Sequence, residues 1–310
     1  MARTGVLLCL GSAAAFGTMG IFGKLAYDEG ATVGTLLAVR FTLAAAVFWV
    51  LVVASGATRR VFALPRRDVG LALCLGAVGY SAQAGCYFAA LQRIDASLLA
   101  LLVYTFPAIV TVAAIVLGRD RASGRTALGL GFACAGLILV LAGSAAGALD
   151  PVGVALGLTA AVVYSAYILV SEGVAIRLDA LTLSALVCTG AAVSLTVSAL
   201  ALGELELAGV GPEGLGWLVA IALVSTVAAI TLFFGGLGRV GPTAASILST
   251  LEPVVTVGLA FVVFGESLGP AQLAGGALVL LAVVAVRVPV RARAAELPRS
   301  RQEPAPQAST

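Results

Sequence analysis

Residues 88–97 read FAALQRIDAS, and residues 234–243 read FGGLGRVGPT. The two stretches lie 146 residues apart. Phe88, Leu91 and Arg93 fall on Phe234, Leu237 and Arg239, while Ala89, Ala90, Ile94 and Ser97 fall on the similar Gly235, Gly236, Val240 and Thr243. The same offset carries Pro107 to Pro253 and Asp120 to Glu266. Each copy holds about five membrane-length apolar segments. An odd number of crossings leaves the chain on the opposite side, so the second copy is expected to lie upside down relative to the first.

The 310 residues are 61% hydrophobic and 11% charged, against ~25% charged in an average soluble domain, so lipid solvates most of the surface. A bilayer core needs roughly 20 apolar residues per helix. Ten spans of that kind are expected at 5–23, 32–54, 69–91, 96–117, 126–143, 151–171, 180–202, 215–237, 242–264 and 269–288. Short polar breaks such as Asp28-Glu29-Gly30 and Arg66-Arg67-Asp68 leave no room for a soluble domain between them. The expected architecture is an all-α membrane protein of ten transmembrane helices in two tandem five-helix inverted repeats. The first repeat covers 5–143 and the second 151–288, with a disordered cytoplasmic tail over 289–310. The first span reads as an uncleaved anchor, because its apolar run continues past Ala13-Ala14-Ala15 to Gly23.

Basic residues set the orientation. With the N-terminus cytoplasmic, the inner segments hold Arg3, Arg59, Arg60, Arg66, Arg67, Arg119, Arg121, Arg125, Arg177, Arg239, Arg287, Arg291, Arg293, Arg299 and Arg301. The outer loops hold only Lys24 and Arg93. Both termini are therefore expected inside a cell inner (plasma) membrane. The Arg119–Arg125 loop of the first copy lies inside, whereas its counterpart around Glu266 lies outside and has no basic residue.

Several chemistries are excluded. The chain has no histidine, which removes His triads, HExxH sites and His proton relays; a proton carrier must be a carboxylate, a tyrosine or water. Cys9, Cys74, Cys86, Cys134 and Cys188 are odd in number and irregularly spaced, so they read as small buried hydrophobes rather than a disulfide framework or metal site. No GxxxxGK[ST] loop is present, which argues against ATP hydrolysis. No metal, cofactor or nucleic-acid partner is expected, and an intramembrane enzyme would need a cluster of ionisable groups that the spans lack. Gly153-x-x-x-Gly157 and Gly129-x-x-x-Ala133 allow close helix packing within the bundle, with a homodimer left open.

The paired segments YTFPAIV (104–110) and STLEPVV (249–255), the stretch VGPTAAS (240–246), and Asp120 and Glu266 at the ends of the fourth and ninth spans resemble the EamA-type transporters of the drug/metabolite transporter superfamily. The resemblance covers about residues 5–288. It implies a pseudosymmetric bundle, a central cavity between the halves and alternating access, and it leaves the solute open among amino acids, metabolites and drugs.

An ionisable group near the bilayer centre costs roughly 2.5–3.5 kcal/mol, which makes it a functional candidate. Glu252 sits mid-span in the ninth segment, where the first copy has Phe106. Pro253 and Pro107 each free a carbonyl four residues back, those of Ser249 and Val103, and each should kink its helix. The alternative reading is two plain kinks with Glu252 held neutral by burial. Arg40 lies ~12 Å and Glu252 ~18 Å below the outer end, so an Arg40–Glu252 pair is geometrically open, either functional or purely structural. Gln83, Tyr80, Tyr104, Tyr164, Ser225 and Thr226 share this layer, roughly 12–19 Å deep. Together these groups suit a zwitterionic or amphipathic small-molecule solute. Lys24 and Glu172 are candidate gates, with interfacial anchoring as the alternative. Asp120 and Glu266 are expected to cap the helices that follow them.

The inverted repeat, the midplane prolines and the sparse intramembrane charges point to a secondary transporter, with export of small organic solutes, and a proton as a possible coupling ion. The alternative within the superfamily is a sugar-phosphate or nucleotide-sugar carrier. A phosphate would favour several midplane cations, and only Arg40 qualifies.

Overall fold

A computed structural model describes residues 2–118, 124–144, 150–175, 177–240, 245 and 247–287. Asp120 and the tail over 289–310 lie outside the described residues. The described secondary structure is helical throughout. Seven helices are long and apolar enough to cross a bilayer: α1 Arg3–Asp28, α2 Val33–Ala54, α3 Arg66–Leu91, α4 Ala96–Val116, α6 Pro151–Ser171, α7 Ala180–Ala201 and α8 Pro212–Val240. The apolar parts of the other three are shorter, at Ala127–Ala142 (α5), Leu251–Phe264 (α9) and Pro270–Ala285 (α10).

A helix closes most of its backbone hydrogen bonds within its own segment, as lipid demands. Local chemistry sets the starts. Thr32 accepts from the Thr35 amide at 3.0 Å, and Asp179 from the Thr182 amide at 3.0 Å. Asp150 accepts from the Val152 and Gly153 amides at 2.8 and 3.1 Å, with Pro151 at the first helical position. Outward faces stay apolar, including Val197, Phe261 and Val262. Such all-round hydrophobicity suits lipid contact. Cys9 and Cys188 are buried as expected, but Cys74 and Cys134 are exposed on these outer faces, because an apolar span hides from water without being hidden from lipid.

The main packing pairs are α1 with α8 and α9, α6 with α3 and α4, α3 with α7, α2 with α8, α2 with α7, and α5 with α10. Advancing every helix by five exchanges the α1 pairs with the α6 pairs and α3–α7 with α2–α8, and returns α2–α7 and α5–α10 to themselves. Gly153 and Gly157 do pack inside the bundle, against Arg93–Ile94 and against Leu99 and Leu102.

The repeat reaches into the local backbone. The α3 helix carries a π-helical stretch at Leu75–Tyr80, and α8 carries one at Leu223–Ala228. Each has a hydroxyl bonded to a carbonyl five residues back: Ser81 to Gly76 at 2.9 Å and Thr226 to Ile221 at 3.0 Å. π-Segments of this kind concentrate at functional sites.

Candidate functional site

The α4 helix breaks at Tyr104-Thr105, and the chain breaks again at Ser249-Thr250 before α9. Thr105 and Thr250 stand just before the second helical pieces, and each hydroxyl bonds the carbonyl three residues back, of Leu102 and Ile247, at 2.7 Å. In this register the first repeat reads Thr-Phe-Pro and the second Thr-Leu-Glu-Pro. Glu252 is the extra residue of the second break, in the first turn of α9. The Ser249 carbonyl that Pro253 frees accepts from the Tyr104 hydroxyl at 2.5 Å, which joins the two breaks. That hydroxyl also lies 3.4 Å from the Glu252 carboxylate.

A cavity of about 470 Å³ opens beside the two breaks. Its walls include Glu252, Arg40, Tyr104, Gln83, Tyr80 and Tyr164, as well as Pro107. Pro253 is buried behind Glu252. Arg40 and Glu252 share the cavity but form no ion pair, so the pairing that their depths left open is not made in this structure. Each has another partner: Arg40 Nε donates to Thr226 Oγ1 at 2.9 Å, and Glu252 has Tyr104. Arg40 is 2% exposed and lies over the rings of Phe41 and Phe88, at 4.9 and 5.4 Å.

Between the two charges runs an unbroken aromatic wall. Tyr104 meets Phe106 at 5.7 Å, Phe106 meets Tyr164 at 4.7 Å, and Tyr164 stacks on Tyr167 at 6.3 Å. Tyr167 meets Tyr80 at 5.6 Å, and Tyr80 stands edge-on to Phe41 at 5.2 Å. Sequence reasoning missed Tyr167, although its spacing of three from Tyr164 puts both on one helix face. It also gave Thr226 no specific partner, because a contact between α2 and α8 has no local signature.

Lys24 lies at one end of the bundle, away from the cavity. Its ammonium is 2.7 Å from Glu266 and 3.6 Å from Asp95, beside a hollow of about 560 Å³ at that end, the outer one on the sequence expectation. Glu266 follows Gly265, whose φ of 69° ends α9 in a left-handed turn. Glu266 does not cap the following helix. It caps α4 instead, accepting from the Ala96 and Ser97 amides at 3.2 and 3.0 Å and from the Ser97 hydroxyl at 2.8 Å. The sharp turn aims the carboxylate across the bundle, and the next helix has its own cap, Gln272 on the Gly269 amide at 2.8 Å. At the opposite end Arg177 pairs with Asp68 at 2.9 Å. Glu172 follows the α6 span in the same helix, which continues to Ala175, and its side chain is outside the described residues.

The hollow beside Lys24 and the cavity are separated by about one turn of α3. Phe88 lines the cavity and Leu91 the hollow. Both press on Gly23 of α1, where an added Cβ would meet them at 2.8 and 2.9 Å. Toward the Arg177–Asp68 end the cavity reaches Leu183 and Ser184, one turn from the start of α7.

Burial alone would make Glu266 harder to ionise. The hydrogen bonds from Lys24 and Ser97 outweigh it and hold the carboxyl below its usual range. A pKa lowered by folding means that the ionised form stabilises the fold above the unfolded pKa, and that this contribution is lost as pH falls through the folded value. Charge-assisted bonds of this kind are worth about 1–3 kcal/mol. Wild type should therefore melt several degrees above Glu266→Gln near neutral pH, and the gap should close on acidification. A gap that stays constant with pH would show that the charge contributes nothing.

The model of the EamA-like transporter family matches twice, over residues 3–142 and 151–288. An uncharacterized transporter of Bacillus subtilis (strain 168), YwfM, is 32% identical over 155 residues, which is 50% of this chain and 51% of that protein. The chain thus matches about half the length of that curated relative. A solved structure titled only as the crystal structure of a protein superposes with a TM-score of 0.66 at 19% identity, over 92% of this chain and 97% of the other. At that identity the likeness concerns the fold.

Proposed function

This chain belongs to the EamA-like transporter family of the drug/metabolite transporter superfamily, and we propose that it exports small organic solutes by alternating access between two inverted five-helix repeats, 5–143 and 151–288. The observation that carries this reading is the cavity, built from both halves and holding a lone arginine, a lone glutamate and an aromatic wall between them.

Ten crossings account for the ends of the bundle. The turns that join each odd helix to the next even one meet at one end: Lys24, near the end of α1, with Asp95 and Glu266, Arg93 with Asp150, and the Gly211 amide with the Glu29 carbonyl. The Arg177–Asp68 pair joins the even–odd loops at the other. Basic residues put that second end in the cytoplasm of a plasma-membrane protein. The cavity then extends toward the cytoplasm, and Phe88, Leu91 and the Lys24–Glu266 pair close it from outside. This is the state that would load a solute for export. Lys24 acts as an outer gate, and a proton is the proposed coupling ion.

The test uses everted vesicles supplied from outside with a panel of amino acids, metabolites and organic cations, in which export reads as accumulation in the lumen. Export of at least one solute is expected. Ala84→Trp, which fills the cavity from its α3 wall, should abolish that export while the protein remains folded. Export unaffected by Ala84→Trp would remove the cavity from the pathway.

A further inference from the structure

The geometry points to Arg40 as a receptor for one carboxylate-type anionic group of the solute, with Thr226 as the residue that positions it. This rests on the cavity being the solute site.

A buried guanidinium is normally paired with an acid, because an unpaired charge in a low-dielectric interior is costly. Arg40 is 2% exposed, yet no carboxylate among the described residues lies within ion-pair distance of it. Its neighbours are the Thr226 hydroxyl, the Tyr80 phenol and the faces of Phe41 and Phe88. These solvate a cation without neutralising it. Thr226 takes Nε, and the Tyr80 phenol is the one other protein partner beside the guanidinium among the described residues, so terminal N–H groups of this cavity-lining residue remain for a ligand. A planar fork of that kind matches a carboxylate with two parallel hydrogen bonds.

The acceptor role of Thr226 is fixed by its own bond. Its hydroxyl hydrogen is donated to the Ile221 carbonyl at 3.0 Å, so its lone pair faces Arg40. That donation spans five residues and belongs to the π-helical stretch at Leu223–Ala228. The π-segment thereby orients the guanidinium. In the matching π-segment, Ser81 is met by the Ser194 hydroxyl at 3.1 Å instead of by an arginine. The anion site therefore exists at one of the two matching contacts, that of α2 with α8, and takes a single negative charge. The aromatic wall beside it favours a ring next to the carboxylate.

Binding to the purified full-length protein, read by thermal shift and titration calorimetry, separates this assignment from transport itself. The probes are 3-phenylpropanoate and its neutral isostere 3-phenylpropanamide at millimolar concentrations. The carboxylate should raise the melting temperature and the amide should not. Arg40→Gln should erase the difference. Thr226→Val should weaken carboxylate binding about tenfold, the worth of one hydrogen bond, while Thr226→Ser keeps it. Should Arg40→Gln fail to fold, the Val and Ser variants at 226 still decide. Equal shifts from amide and carboxylate, or no carboxylate-dependent shift in wild type, would overturn the anion site. Equal binding by Thr226→Val and Thr226→Ser would overturn the positioning role. Binding without transport would count against the exporter reading and leave this one standing.

Discussion

Glu252→Gln should slow proteoliposome transport by about 100-fold or more, which is a loss of roughly 2.7 kcal/mol, and should flatten its dependence on pH. The chain has no histidine, so proton movement through the membrane needs a carboxylate or a phenol. Glu252 lines the cavity, touches Tyr104 at 3.4 Å, and has no cation within ion-pair distance among the described residues. A carboxylate without an ion-pair partner in that position can exchange a proton for a solute group, because no cation among the described residues holds its charge. The same residue is a cost to the fold, roughly 2.5–3.5 kcal/mol for an acid at mid-membrane depth. Glu252→Gln should therefore melt at or above the wild-type temperature while losing transport. Glu252→Asp, which keeps the charge on a shorter arm, should retain part of the rate. Transport by Glu252→Gln with an unchanged rate and pH profile would show that the acid has no part in coupling. A variant both inactive and markedly less stable would mark it as structural.

Much of this site was legible before any coordinates. Apolar length alone located the seven membrane-length helices to within about five residues at either end, because a bilayer imposes a fixed thickness. The depth of Arg40, Gln83, Tyr80, Tyr104, Tyr164 and Glu252 also followed from rise per residue, and all six line one cavity. What was not legible is how each helix is rotated and which helix it meets. The Arg40–Thr226 bond joins residues 186 positions apart, and the Glu266 cap on Ser97 joins residues 169 apart. Neither leaves a mark on the local sequence. The fixed 146-residue offset placed Glu252 opposite Phe106, but the threonine turns show it as an inserted residue. A simple offset cannot see a one-residue shift inside a break. Glu266 was read as a local cap because charge and position suggest a helix start nearby, and two such starts were available.

Gly76→Ala and Gly190→Ala should each prevent recovery of folded protein. Helix association in lipid lacks a hydrophobic drive and depends on close backbone approach. At the crossing of α3 and α7 that approach is extreme. An added Cβ on Gly76 would stand closer than any permitted contact to the Val187 carbonyl, and one on Gly190 closer than any permitted contact to the Leu73 carbonyl. The obstructing atoms are backbone, so no side chain can swing aside, and the helices must separate. Overpacking usually costs about 1–3 kcal/mol, and a clash between two main chains belongs at or above that upper end. Gly76 also lies in the Leu75–Tyr80 π-segment, so separation there would drag Tyr80 out of the aromatic wall. Gly85→Ala is the control: it lies on the same α3 helix with nothing within 4 Å of the added carbon. It should fold as wild type and gain slightly from helix propensity. Monodisperse elution of Gly85→Ala beside aggregation of the other two, on size-exclusion chromatography after extraction, is the expected pattern. Normal elution and melting of Gly190→Ala would mean that α3 and α7 do not cross this closely.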